Sequence, residues 1–482
     1  MRVFFRNLVG KLMMLNPGYR KAVFLERKLD AIIAVLKSYL DYVNPEIAFL
    51  GTEPSAPIGT TRILLVGYYG GNNLGDELTL RTILKYAVGF ANIKYTVMLA
   101  GNPDYDSSTL GDVDIIHYCR STSDMSHLAA KYDALIVGGG ALFDDVAYPM
   151  VTNHFKSLSF IVSEFPKYFK ARQKKVVYYG VSTNGQIKDA NYARLLGNAV
   201  ANADYFSVRD QYSLSVLKSC GNIGTVRLVD DIVLCDEDLI VKGDDQPDGK
   251  GGRSVTIGVT WICLAELKQL LLDILRKIVE SFDVNIQIRL IPFANLNNAD
   301  IAYYEAVLDS LSPDIAKMIT VSAYDNGLAE TIQKFKGCDV ALTMRYHAAL
   351  VCGAIGIPQV ILELRNYTPY KNEMQWLDES FTNGSCRLDT DTSAGDICNQ
   401  LYRQFRRGKV EPIPAERINA NRRELGNAIS IVYRSRELKG GLVNDGLFCC
   451  CRYRHLGIRE YDSHCCQSAE YLIHELQCPG ES

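Results

Sequence analysis

The chain lacks a marked excess of charge of either sign, because 52 lysine and arginine residues stand against 55 aspartate and glutamate residues among its 482. A general nucleic-acid-binding protein usually carries a clear basic excess, so this balance argues against that class. The chain also lacks an uncharged apolar run approaching the roughly 18–20 residues that a membrane-spanning helix needs. Charged and polar residues interrupt residues 1–15, which argues against a secretory signal there. We therefore expect a cytoplasmic protein that binds no nucleic acid.

Apolar residues are plentiful, since 48% of the chain is hydrophobic and 10% is aromatic. This composition excludes a largely disordered chain. At roughly 100–200 residues per domain, the length accommodates two or three domains. Eight of the 14 cysteines are scattered, mostly in apolar stretches, which favours buried, reduced thiols over a disulfide framework. These eight are Cys119, Cys220, Cys235, Cys263, Cys338, Cys352, Cys386 and Cys398.

The other six cysteines lie in the last 34 residues, together with three histidines. Such a density suggests a zinc site, but the spacings do not form two C-x-x-C pairs. S-acylation of Cys449–Cys451 is a second interpretation. We favour an extension of unknown role over 436–482, and we expect no metal in the protein. The six are Cys449, Cys450, Cys451, Cys465, Cys466 and Cys478.

Residues 1–60 read as an N-terminal extension that a Pro- and Gly-containing linker ends. Wound as a helix, residues 1–15 place Phe4, Leu8 and Leu12 on one face and basic residues opposite. Such a helix either lies in a membrane interface or docks on a protein surface. We favour the docked helix and keep peripheral membrane contact through residues 1–15 as the alternative.

Short apolar runs then alternate with helical patterns, which is typical of parallel, doubly wound sheets. The polar, Gly-rich segment 244–253 reads as a linker between two such series. We therefore predict an α/β fold of two Rossmann-like domains, 61–243 and 254–435, that face each other across a cleft. The predicted strands are 62–67, 94–100, 114–117, 133–138, 175–181, 205–208 and 225–228, then 254–260, 285–292, 319–321, 340–343 and 359–363. The predicted helices are 77–88, 148–170, 192–201 and 211–219, then 265–282, 301–311, 327–335, 346–354 and 413–434.

Ligands of such sheets bind beyond the carboxyl ends of the strands, where this chain places glycine-rich loops. Residues 67–76 follow the first strand and open a helix, whose N-terminus favours an anion. The spacing fits neither a Walker A loop nor G-x-G-x-x-G, and a tight turn capped by Asp76 is the alternative. The candidate ligand-binding residues of this loop are Gly70, Gly71, Asn73, Gly75 and Asp76. Two further strand-end loops add Gly139, Gly140 and Ser182.

Charged side chains also stand at strand ends. Arg209 follows one strand of the first series, and Arg345 and His347 follow a strand of the second. An arginine and a histidine at such a junction suit an anion, whereas a salt bridge for Arg209 and a structural contact for His347 are the alternatives. Asp230 and Asp231 follow another strand. The candidate roles for these two are a base, a contact to the acceptor and a helix cap.

Four motifs in fixed order, GYYGGNNLGDE at 67–77, DALIVGGG at 133–140, SVRD at 207–210 and RYHAALVCGAIGIP at 345–358, resemble those of the polysaccharide pyruvyl transferase family. The likeness covers roughly 61–435. It implies a fold like glycosyltransferase type B and transfer of pyruvate from phosphoenolpyruvate to two hydroxyls of one sugar, forming a cyclic ketal without metal or cofactor. Lys371 resembles a lysine that often follows the last strand in this family.

The chemistry of phosphoenolpyruvate fits the same residues, since its carboxylate and phosphate suit arginine forks. We expect Arg209 and Arg345 to clamp the donor across the cleft and His347 to act as general acid. The acceptor would be a polysaccharide or a lipid-linked glycan. Two other classes remain open at this point: a type B glycosyltransferase that uses a nucleotide sugar, and a non-catalytic scaffold of the same fold.

Overall fold

The computed structural model describes residues 60–87, 92–100, 110–117, 122–144, 157–221, 224–240, 254–282, 284–294, 299–324, 327–364 and 385–433. The predictions for residues 1–59, for the linker 244–253, for Lys371 and for the Cys-rich tail lie outside these residues. They stay predictions.

The first half of the chain forms a seven-stranded parallel sheet in the order β3-β2-β1-β4-β5-β6-β7. Its central strands are almost fully buried apolar runs, as expected where helices cover both faces of a parallel sheet. The strands are β1 Thr61–Val66, β2 Ile93–Leu99, β3 Asp114–His117, β4 Ala134–Phe143, β5 Lys175–Thr183, β6 Tyr205–Val208 and β7 Arg227–Leu228. The helices are α1 Leu74–Ala87, α2 Thr122–Lys131, α3 Leu158–Lys170, α4 Ala190–Asn202 and α5 Gln211–Ser219, followed by the 3₁₀ turns Ile232–Cys235 and Glu237–Leu239.

The second half forms a six-stranded parallel sheet in the order β10-β9-β8-β11-β12-β13. The strands are β8 Val255–Thr260, β9 Ile286–Leu290, β10 Ile319–Val321, β11 Val340–Thr343, β12 Gln359–Glu363 and β13 Cys386–Asp389. A 3₁₀ turn, Ala265–Leu267, precedes α6 Lys268–Ser281. The other helices are α7 Ala299–Leu308, α8 Pro313–Ala316, α9 Leu328–Lys336, α10 Tyr346–Ala354, α11 Ala394–Arg407 and α12 Ala415–Tyr433.

Both sheets reverse their strand order at one point, between β1 and β4 in the first and between β8 and β11 in the second. This is the Rossmann order, and the reversal opens a crevice at the carboxyl ends of the strands. The predicted α/β class of two Rossmann-like domains is confirmed. The site described below lies at these strand ends.

Helix α12, which the sequence prediction groups with the second sheet, packs against the first. Leu425 and Ile429 share a buried apolar cluster with Ile63 of β1. The Tyr179 hydroxyl lies 3.1 Å from the side-chain oxygen of Asn421, and Arg227 pairs with Glu424 at 2.7 Å. The chain therefore ends its described part by returning to the domain in which it began.

Two smaller findings concern the predictions made for cysteine and for the membrane. The seven cysteines within the described residues carry free thiols, and four of them are buried. In the same part of the chain, none of the helices combines the length and the apolar character that a bilayer crossing demands.

Candidate active site

The two halves meet where the first glycine loop touches the second sheet. The backbone N–H of Leu74 donates to the carbonyl of Phe293 at 2.8 Å, and Asn73 forms an isolated antiparallel bridge with Ala294. Leu74 also shares a buried apolar cluster with Phe293 and with Ala348 of α10. This junction brings the start of α1 against the start of α10, which carries the predicted histidine.

A buried ion pair lies on the side of this junction that belongs to the first sheet. Arg209 directly follows β6, and its Nη1 donates to Oδ2 of Asp231 at 2.9 Å. Both side chains are only 3% exposed. The guanidinium also lies over the ring of Tyr346, 4.2 Å from its centroid, so a cation–π contact links the two halves. The salt bridge that the sequence analysis gave as the alternative for Arg209 is therefore observed, and its partner is Asp231.

His347 faces the same carboxylate from the second half. Its Nε2 lies 3.6 Å from Oδ2 of Asp231, and its side chain is 11% exposed. Burial alone would raise the pKa of Asp231, but His347 and Arg209 hold that pKa well below its ordinary value. The carboxylate is therefore ionised at neutral pH and attracts a proton-bearing imidazole.

Gly75 explains why the ring can lie there. It is the second residue of α1, and a Cβ built on it would come within 2.0 Å of Nδ1 of His347. The ring thus occupies the space that any other residue's side chain would need. Glycine is required here for close approach, as the loop's sequence suggested, although the neighbour seen is a protein side chain.

We expect Gly75→Ala to displace the ring of His347 from Asp231, because the added methyl group overlaps Nδ1. Overpacking of this kind costs about 1–3 kcal/mol in unfolding free energy, measurable by chemical denaturation. Gly426→Ala is the matched control, since a Cβ there meets nothing within 4 Å inside α12. That variant should gain about 0.5–1 kcal/mol. Equal effects of the two substitutions would contradict the assigned role of Gly75.

Arg345 lies on a second aspartate, in the other half. Its Nη2 donates to Asp300 at 3.0 Å and its Nε to the carbonyl of Trp261, which follows β8, at 3.2 Å. Asp300 is itself held by the backbone N–H groups of Phe293 and Ala294. No hydrogen bond from Nη1 of Arg345 appears within the described residues, and the side chain is 22% exposed. One edge of this guanidinium is thus fixed and the other can meet an anion.

The structure therefore joins Arg209 and His347 through Asp231, and holds Arg345, two residues before His347, on Asp300. The sequence analysis named Asp231 together with Asp230 and left several roles open for the two. It did not name Asp300. No local signal marks Asp300 as a counter-ion, because the arginine that it pairs with, Arg345, lies 45 residues further along the chain.

The remaining predicted glycines have protein neighbours in the described structure. The N–H of Gly70 donates to the buried Glu77 at 3.0 Å. Gly139 and Gly140 have positive φ angles of 59° and 83° within β4. Their missing side chains leave room for Thr79 and Asp76 of α1, and that of Gly71 leaves room for Tyr68. Ligand contact by these glycines stays a prediction.

Ser182, in β5, is 1% exposed, and within the described residues its hydroxyl has no hydrogen-bond partner. A cavity of about 510 Å³ lies beside Arg209, between the ends of β6 and β7 and helix α12. Its lining mixes charged, amide and apolar side chains: Arg209, Asp210, Gln211, Leu228, Val229, Asp230, Arg417, Ala420, Asn421 and Glu424. Within the described ranges no group of three His, Cys, Asp or Glu side chains is arranged to hold a metal ion.

Comparison with known proteins adds a family and several structures of similar fold. The sequence profile described as polysaccharide pyruvyl transferase matches residues 73–366. No curated protein matches the chain.

Among solved structures, the UDP-GlcNAc 2-epimerase of Methanocaldococcus jannaschii in complex with UDP-GlcNAc and UDP aligns at 12% identity and a TM-score of 0.48, over 77% of this chain and 99% of its own. The ADP-heptose LPS heptosyltransferase II of E. coli aligns at 11% identity and a TM-score of 0.37, over 72% and 99%. A mutant O-GlcNAc transferase of Thermobaculum terrenum aligns at 13% identity and a TM-score of 0.39, over 90% and 81%. Nothing about the substrate of this chain follows from these three.

Proposed function

The chain belongs to the polysaccharide pyruvyl transferase family, and from this premise we propose that it transfers pyruvate from phosphoenolpyruvate to two hydroxyls of one sugar, forming a cyclic ketal and releasing phosphate. The observation that carries the proposal is the convergence of Arg209 and His347 on Asp231, with Arg345 two residues before His347. Two arginines and one histidine at the junction of two Rossmann-like domains suit a small, multiply charged anion.

The donor's two anionic groups give each arginine a role. Arginine binds a carboxylate or a phosphate through parallel N–H donors, and such charge-assisted bonds are the strong ones. Arg345 has a guanidinium edge directed away from Asp300 and partly open to solvent. Arg209 is fixed against Asp231 and Tyr346, so it supplies a preorganised positive charge.

His347 is the proposed general acid. Proton transfer from the imidazolium to the methylene carbon leaves developing positive charge at C2, which a sugar hydroxyl attacks. That hydroxyl's proton returns to the protein, and the C2–O bond to phosphate then breaks. The second hydroxyl adds at C2, gives its proton to the departing phosphate and closes the ring. The sum is phosphoenolpyruvate plus a diol giving a ketal plus phosphate.

The cavity beside Arg209 supports a saccharide acceptor next to this centre. Its volume of about 510 Å³ is in the range of small-molecule sites. The charges that line it are largely paired, as Arg417 is with Asp230 at 2.8 Å. Carboxylate, guanidinium and amide groups in such pairs offer donors and acceptors to a neutral sugar without favouring a second anion. We place the acceptor there.

A thermal-shift titration with phosphoenolpyruvate, UDP, GDP and inorganic phosphate tests the donor. A ligand that binds only the folded state at one hundred times its Kd adds about 2.7 kcal/mol of stability. We expect phosphoenolpyruvate to raise the Tm in wild type and to lose this effect in Arg345→Ala.

The other ligands give the contrary outcomes. A shift with UDP or GDP alone would replace the proposal by a nucleotide-sugar-dependent glycosyltransferase. No shift with any of the four, followed by no phosphate release from phosphoenolpyruvate in the presence of acceptor glycans, would favour a non-catalytic scaffold.

A further inference from the structure

The carboxylate of Asp231 is fixed from several sides at once. Oδ2 accepts from Arg209 and faces Nε2 of His347, while Oδ1 accepts the N–H of Val233 at 2.9 Å as the cap of a 3₁₀ turn. The backbone carbonyl of the same residue accepts from the side chain of Asn421 in α12 at 2.9 Å. Elements of both sheets and the returning helix thus hold this one residue in place.

The carboxylate lies between two nitrogen-bearing side chains. His347 and Arg209 hold the pKa of Asp231 low against the effect of burial, so this buried group is ionised at neutral pH. An ionised carboxylate in this position attracts both the guanidinium and the imidazole.

The ring of His347 lies between two fixed groups. Nε2 faces the carboxylate of Asp231 at 3.6 Å, and Nδ1 packs against Gly75 at the start of α1. The anionic neighbour on one side and the close backbone on the other set the orientation of the ring.

We propose that Asp231 is the positioning residue of this site: its carboxylate orients the imidazole of His347 for proton exchange with the substrate, and it fixes the guanidinium of Arg209 beside it. The proposal rests on the proposed function for its kinetic consequence, but the pairing of Asp231 with His347 can be measured without any activity.

Asp236 provides the matched control. It is also a buried aspartate, it also caps a 3₁₀ turn, and it also pairs with a cation, Lys85, at 2.7 Å. Within the part of the chain that the structure describes, Asp236 forms no hydrogen bond or ion pair with His347 or Arg209. Asp236→Asn therefore reproduces the loss of a buried charge and a weakened cap, without touching the histidine.

The experiment labels the seven histidines with ¹⁵N and records their ring nitrogens by NMR, with His347→Gln identifying the signal of His347. We expect Asp231→Asn to change both ring shifts of His347, because Nε2 loses its anionic neighbour. Asp236→Asn should leave them unchanged. In the transfer assay, Asp231→Asn should lower kcat by about tenfold or more, in the range of partners that orient a reacting group. Its KM for phosphoenolpyruvate should change less.

Asp231→Glu is the second variant. It keeps the negative charge, so the ring shifts of His347 should stay closer to those of wild type than in Asp231→Asn. It replaces Asp231→Asn in the experiment if that variant does not fold. An unchanged His347 spectrum in a folded variant that lacks the carboxylate would overturn the proposal, and so would an unchanged kcat. If wild type does not turn over phosphoenolpyruvate at all, the proposed function fails, and the spectrum alone decides whether Asp231 orients the ring.

Discussion

Replacing His347 with glutamine is expected to lower kcat of pyruvyl transfer by about 10²–10⁴-fold, the usual contribution of a positioned general acid. Glutamine fills much of the same space and forms hydrogen bonds, but it has no proton to give at neutral pH. Because Asp231 keeps Arg209 and the N–H of Val233 as partners in the variant, the fold should persist.

The measurement is phosphate release from phosphoenolpyruvate in the presence of acceptor, together with the Tm of each variant. His127→Gln is the control, since this histidine is exposed on α2 and lies outside the site. A His347→Gln protein that keeps wild-type kcat would remove the acid assignment and leave His347 as a structural contact of Asp231.

The fold could be predicted from alternation because buried parallel strands are nearly continuous apolar runs. The strand predicted at 62–67 is observed as Thr61–Val66, and five of its six residues are buried. The strand β13, Cys386–Asp389, was not predicted, since its four residues mix charge with apolar groups and are only half-buried. The helix α11 was also missed, although Ile397, Cys398 and Leu401 do lie on one buried face at helical spacing.

Helix starts show the limit of local reasoning more clearly. The first helix was predicted from residue 77 and begins at Leu74, because the second half of the chain binds its first turn through Phe293. Gly75 and Asp76 therefore lie in the helix and not in a free loop. The prediction of a close approach at Gly75 depends on the residue type, but its neighbour, His347, comes from the other domain.

Local reasoning has the same limit at the candidate site. Arg209, Arg345 and His347 could be selected from the sequence because each lies at a strand-to-helix junction, where parallel sheets bind ligands. Their pairing with Asp231 and Asp300 could not be predicted in this way. Asp210, next to Arg209, caps α5 by accepting the N–H of Ser213, while Asp231, 22 residues further on, takes the guanidinium. Ion pairs across a tertiary fold leave no local pattern.

Arg345→Ala is expected to raise the KM for phosphoenolpyruvate by more than about tenfold, since a hydrogen bond to a charged group contributes ~1.5–3 kcal/mol. The free energy of unfolding should fall as well, because the buried Asp300 loses its cationic partner and keeps only the N–H groups of Phe293 and Ala294. The Tm of the variant therefore accompanies its KM. Arg209→Ala acts in the same way on the other aspartate. It leaves Asp231 with one buried cationic neighbour fewer, so the free energy of unfolding should fall by about 3–5 kcal/mol as well.

The comparison of Arg345→Lys with Arg345→Ala then separates charge from geometry. Lysine restores a positive charge but lacks the fork that binds Asp300 on one edge and an anion on the other. We expect its KM to stay close to that of the alanine variant. Arg276→Ala, a surface arginine paired with Asp273 within α6, should keep the wild-type KM. If Arg345→Ala also keeps it, the guanidinium serves only to hold Asp300 and the carbonyl of Trp261, and the donor is bound elsewhere.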